Sequence, residues 1–158
     1  MIPPPVQLNE LLDDQIGPLV EASELEGFRF VRRVVTEWRD GKNTFSAHGE
    51  ALLGSVIEGR LVGIGGLMAD PYANDARIGR LRNLYVLPAF RGCGIGAGLT
   101  REIIQRASSV FQVLRLRAGT RQAARLYERE GFSAIGGAPE CTHLIRFPVT
   151  TGSEQGRS

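Results

Sequence analysis

Four glycines fall within the seven residues Gly92–Gly98, in the run Arg91-Gly92-Cys93-Gly94-Ile95-Gly96-Ala97-Gly98. Upstream, Ile78–Leu87 alternates with the period of a strand, placing Arg80, Arg82, Leu84 and Val86 on one face and Leu81, Asn83, Tyr85 and Leu87 on the other; Pro88 ends it. Downstream, Ile95, Leu99, Ile103, Ile104 and Ala107 repeat at helical spacing over Gly94–Val110. A strand, a short turn and a glycine-rich helix start therefore follow one another. Inside an element each glycine costs about 0.5–1 kcal/mol relative to alanine, so such a run implies a backbone that must bend sharply or approach something closely. The first N–H groups of a helix point out of its start, where the helix dipole is positive. With Arg91 beside them they form an anion site suited to a phosphate or pyrophosphate.

Two known phosphate loops can be weighed against this segment. A nucleoside triphosphate loop needs G-x-x-x-x-G-K-[ST], and the segment has no lysine. A dinucleotide fingerprint is formally matched by Gly92, Gly94 and Ala97. That fold, however, needs an acid at the end of the next strand, and Leu114-Arg115-Leu116-Arg117-Ala118 supplies none. Only about 60 residues follow, too few for the usual run of further βαβ units.

The rest of the chain reads as a mixed αβ domain. Ile2–Pro5 is an extended arm, and Asn9 is the expected cap of a helix running to about Leu25, with Gly17-Pro18 as a place to kink it. A second amphipathic helix covers Phe28 to about Asp40 through Val31, Val34, Val35 and Trp38, and Gly41 stops it. Ala51–Ile57 and Leu61–Ala69 form a hairpin around Glu58-Gly59-Arg60, followed by a loop over Asp70–Asp75. Gln112–Ala118 is a strand, Thr120–Glu130 a short helix capped by Thr120, and Phe132–Ile135 and Thr142–Phe147 are closing strands. One domain over residues 1–149 with a disordered tail at 150–158 is expected, with no repeat or linker.

Two motifs in order are more specific than either alone. Leu84-Tyr85-Val86-x-Pro88 followed by Arg91-x-x-Gly94-x-Gly96 resembles the acyl-CoA-binding motif of the GNAT superfamily of N-acetyltransferases. Ala123-Ala124-Arg125-Leu126-Tyr127-Glu128-Arg129-Glu130-Gly131-Phe132 resembles that family's A-x-x-L-Y-x-x-x-G-F segment. The element order from Ala51 to Phe147 agrees with it. The resemblance implies a mixed, mostly antiparallel central sheet flanked by helices, an α/β (α+β) class. It implies acetyl-CoA as acyl donor, with Leu84, Tyr85 and Val86 pairing with the pantetheine arm and the backbone of Arg91, Gly92, Cys93, Gly94, Ile95, Gly96 and Ala97 wrapping the pyrophosphate. It further implies direct attack of an amine on the thioester, an N–H near Val86 facing the developing oxyanion, and Tyr127 as the acid that protonates the departing thiolate. The family often has an asparagine seven residues before that tyrosine; here Thr120 stands there, and a helix cap is the simpler role.

No carboxylate lies on Arg80–Val86, so the base that would deprotonate the amine is sought among Glu37, Glu50, Asp70 and Asp75. Cys93 is expected to be a small packing residue, Trp38 a core anchor, and Arg115 and Arg117 a solvated strand face. The net charge of +2 argues for neither nucleic acid nor membrane. Two cysteines make no disulfide framework, and His48 and His143 show no metal-ligand spacing. No signal peptide opens the chain and the longest apolar run, Leu61–Ala69, is short. The expectation is a cytoplasmic acetyltransferase acting on a small-molecule or protein amine, with a non-catalytic acyl-CoA-binding module as the alternative and a homodimer left open.

Overall fold

The computed structural model describes residues 2–148; the expected tail at 150–158 lies outside them. The elements, in order, are strand β1 (Val6–Gln7), helices α1 (Asp13–Leu25) and α2 (Phe30–Arg39), strands β2 (Ala51–Ile57), β3 (Arg60–Ala69) and β4 (Ile78–Val86), helix α3 (Ile95–Ser108), strand β5 (Val113–Leu116), helix α4 (Arg121–Arg129), and strands β6 (Ser133–Ala134) and β7 (His143–Arg146). One 3₁₀ turn, Pro88–Phe90, joins β4 to α3. The strands form a single sheet in the order β1-β2-β3-β4-β5-β7-β6. Among the described strands only β4 and β5 run parallel, and α3 is the crossover between them. The mixed, mostly antiparallel sheet expected from the sequence is therefore present.

Local signals account for most of these elements. Glu58 and Gly59 both have positive φ, as a two-residue hairpin turn requires, and they join β2 to β3. The Thr120 hydroxyl accepts the Ala123 N–H at 3.0 Å and caps α4. Asn9 does not cap α1. The preceding residues Val6–Leu8 instead pair with β2, the Leu8 N–H donating to Leu52 O at 2.8 Å, and the helix starts at Asp13 once the chain has left that edge. Asp13 and Asp14 then sit in the first turn, where the helix dipole favours them. Pro18 lies inside α1 without interrupting it.

The glycines of β3 show how the layers meet. A Cβ on Gly63 or Gly65 would press on Ile95, Leu99 or Ile103 of α3, whereas one on Gly66 would come within 2.8 Å of the Phe45 ring. Helix α3 thus covers one face, and α2 with the loop carrying Phe45 covers the other. Leu52, Leu53, Ile64, Leu67, Leu99, Ile103, Leu114 and Leu116 form the core between them, each nearly inaccessible to solvent. Among the described residues no helix is long and apolar enough to cross a membrane.

Candidate active site

Strands β4 and β5 pair at Ile78–Val113, Gly79–Leu114 and Arg80–Arg115, and no further. From Leu81 onward the β5-facing edge of β4 has no strand partner among the described residues, so the sheet forks. A bulge lies in the same stretch. Val86 and Tyr85 stand opposite Gly63 and Ile64, but Arg82 stands opposite Gly66, which leaves Asn83 and Leu84 together against Gly65. Asn83 takes φ 64°, a left-handed conformation that asparagine tolerates better than most residues. The extra residue resets the alternation. Arg82 and Asn83 both line a pocket on the α2 side, while Leu84 reaches toward Gly65 on the α3 side. The regular alternation read from the sequence, with Arg80, Arg82, Leu84 and Val86 on one face, is therefore broken between Arg82 and Leu84.

The mouth of the fork is met by the start of α3. Gly94 is its N-cap with φ 91°, and no side chain caps the helix. The first intrahelical bond runs from the Gly98 N–H to Gly94 O at 2.9 Å, so the amides of Ile95, Gly96 and Ala97 precede the helical ladder. A Cβ on Gly94 would touch nothing closer than Ile2 at 3.7 Å. The glycine is thus required by the backbone turn rather than by packing within the chain. A Cβ on Gly96 would lie 3.5 Å from Leu126 and 3.8 Å from Val86, which puts that residue where β4, α3 and α4 converge.

Arg91 differs from expectation. Its guanidinium donates to both carboxylate oxygens of Glu26 at 2.8 Å and to the Val86 carbonyl at 2.9 Å, and it lies over the Tyr85 ring. Its charge is compensated, so the positive character at the start of α3 comes from backbone amides more than from this side chain. The Tyr85 hydroxyl also donates to Glu26, at 2.6 Å. Burial, with the carboxylate beside it, pushes that phenol up to about 12, and the Arg91 and Tyr85 donors hold Glu26 below the usual carboxylate range. Cys93 is exposed, its thiol donating to Phe90 O, and is not a packing residue.

Tyr127 sits on α4 at 6% exposure, edge-on to Phe132 at 5.8 Å between centroids. Its hydroxyl has no hydrogen-bond partner among the described residues, and burial alone pushes its pKa up. Buried hydroxyls nearly always find a partner, and leaving one without costs about 1–3 kcal/mol.

The four candidate carboxylates separate clearly. Asp70 is fully buried and locked between Arg115 at 2.7 Å and Arg80 at 3.3 Å, which also removes Arg115 from the solvated face expected for it. Arg117 is exposed, though it donates to Pro139 O. Glu50 accepts the Ala69 N–H, and Asp75 is tied to Arg77, which lowers it to about 2. Only Glu37 lines the pocket at the bulge, with Phe30, Arg33 and Val34 from α2, Asn43 and Phe45 from the following loop, and Arg82 and Asn83. Trp38 is half-buried against the core, and His143 is buried between Thr142 and Glu128.

The GNAT acetyltransferase domain matches residues 48–134, more than half of the chain. The chain belongs to the GNAT family. A solved protein of Exiguobacterium sp. 255-15, proposed to be an acetyltransferase, is 29% identical with a TM-score of 0.80, covering 97% of each chain. A GNAT-family acetyltransferase of Staphylococcus aureus Mu50 shares the fold at 14% identity and a TM-score of 0.69, covering 91% of this chain and 98% of its own. So does a ribosomal-protein-alanine N-acetyltransferase of Brucella melitensis, at 18% identity and 0.61, covering 90% and 95%. No curated protein matches by sequence. Family membership implies acyl transfer from acetyl-CoA. Sequence reasoning missed Glu26, which no motif marks. It also missed the bulge, although an asparagine within a strand, at position 83, was a usable signal.

Proposed function

We propose that this GNAT protein is an N-acetyltransferase that moves an acetyl group from acetyl-CoA directly to an amine held in the pocket at the β4 bulge. The observation that supports this most directly is the buried Tyr127 hydroxyl, which has no partner among the described residues. Such a group is accounted for when a ligand atom completes its hydrogen bonding.

Bound acetyl-CoA supplies an activated acetyl group as a thioester. The amides of Ile95, Gly96 and Ala97 hold the pyrophosphate, because the left-handed Gly94 leaves them without a partner at the positive end of α3. The open edge of β4 offers backbone hydrogen bonds to the pantetheine arm, and an N–H near Val86 stabilises negative charge on the acetyl oxygen. Glu37 takes the proton from the incoming ammonium, since the other three carboxylates are committed to ion pairs or strand amides. Tyr127 stays protonated at neutral pH and passes its proton to the departing thiolate.

The test has two stages. Acetyl-CoA and coenzyme A should raise the melting temperature, whereas NAD and ATP should not. A panel of amines should then release free thiol from acetyl-CoA. A shift with NAD equal to that with acetyl-CoA, or none with acetyl-CoA, counts against the cofactor assignment. Tight acetyl-CoA binding with no thiol release from any amine would leave an acyl-CoA-binding module.

A further inference from the structure

The pocket at the bulge carries more information than the position of a base. Resting on the acetyltransferase reading above, we propose that the acceptor is a small amine that also carries a carboxylate, with Arg82 and Asn83 holding the carboxylate and Glu37 facing the amine.

Arg82 is the anomaly that carries this. It is half-buried, and its five N–H donors find a single weak contact, the Met68 sulfur at 3.6 Å. No carboxylate lies within ion-pair distance of it among the described residues. The buried Arg80 and the half-buried Arg115, by contrast, are both ion-paired to Asp70. A guanidinium drawn from water without a counter-charge is costly, and an anionic ligand group removes that cost. The bulge supplies a second donor. It turns Asn83 to the same side, and that amide has no hydrogen-bond partner among the described residues.

The surroundings favour an anion as well. Arg33 lines the pocket itself without an ion-pair partner among the described residues. Glu37 is the one acid in the lining. Both signs of charge in one enclosure match a zwitterion better than a simple amine. The recess is small, about 50 Å3, and is walled by Phe30, Val34 and Phe45, so it suits a short acceptor that spans the few lining residues between Arg82 and Glu37. A planar carboxylate suits the two-donor edge of a guanidinium.

The experiment compares matched acceptors by thiol release: 4-aminobutyrate with butylamine, and β-alanine with its methyl ester. The carboxylate-bearing member should have at least about tenfold higher kcat/KM, the size of a charge-assisted hydrogen bond. In Arg82→Gln that preference should collapse, mostly through KM. Arg82→Lys should restore part of it, since charge returns without the fork. Asn83→Asp, which keeps a residue tolerant of the left-handed backbone, should invert the preference toward the neutral member. The thermal shift with acetyl-CoA, taken on every variant, establishes that each is folded and binds the donor. Equal or better turnover of the uncharged members by the unmodified protein overturns the inference while leaving the acetyltransferase reading standing. So does a preference that survives Arg82→Gln, or a donor-binding protein that turns over no carboxylate-bearing amine. Absence of any acetyl-CoA shift overturns the underlying reading instead.

Discussion

Tyr127 presents two demands that are separable by removing one atom. As a packing residue it needs its ring against Phe132; as an acid it needs its hydroxyl. Because that hydroxyl has no partner among the described residues, Tyr127→Phe strands none of them, and the melting temperature should stay level or rise slightly. Turnover should nevertheless fall by about 10²–10⁴-fold with little change in KM for acetyl-CoA, the loss of an interaction made only as the thiolate leaves. A fall under about threefold, set against that range, would make Tyr127 a packing residue and leave the thiolate to water. The tyrosine was legible in the sequence because its motif is local. Glu26 was not, because its partners Tyr85 and Arg91 lie 59 and 65 residues away and nothing in the residues around it signals either.

At the scale of elements, the junction of β4, α3 and α4 can be tested through its two glycines. Gly94→Val forces a branched residue into φ 91°, which straightens or shifts the turn that exposes the α3 amides. Gly96→Val meets no such strain, but it places its methyls toward Leu126 and Val86, at the junction proposed above for the donor. Both variants should remain folded and lose the acetyl-CoA thermal shift, Gly94→Val with the larger drop in intrinsic stability. A Gly96→Val protein that binds acetyl-CoA with unchanged affinity would remove the close-approach argument. Most elements here were readable from short-range chemistry: Glu58-Gly59 for the hairpin, Thr120 for the cap, the apolar stripe for α3. The β4 bulge was not read, since a period-two pattern continues on paper through Arg82-Asn83-Leu84 and only the pairing with Gly65 reveals the inserted residue. The late start of α1 was hidden for the same reason: whether Val6–Leu8 joins the sheet depends on an edge supplied by β2.

For the whole molecule, Glu26 is the point where the helical layer is tied to both the strand edge and the glycine loop. It leaves the C-terminal end of α1 to reach Tyr85 of β4 and Arg91 of the glycine loop. The Arg91 and Tyr85 donors hold its pKa in the folded protein below that of the unfolded chain. A carboxylate depressed in this way contributes stability that is fully present above its unfolded pKa, about 4.3, and is lost as pH falls through its lower folded value. Tyr85, raised to about 12, stays protonated throughout that window and remains a donor, so the acid-side change belongs to the carboxylate. Glu26→Gln removes the titrating group while keeping its shape. The variant should melt somewhat lower than the parent at pH 7, and the difference should shrink steadily between about pH 5 and pH 3, as the parent's own Glu26 takes up its proton. Melting curves of the two proteins across that range decide the matter. Curves that stay parallel down to pH 3 would mean that ionisation of Glu26 contributes nothing to stability across that range.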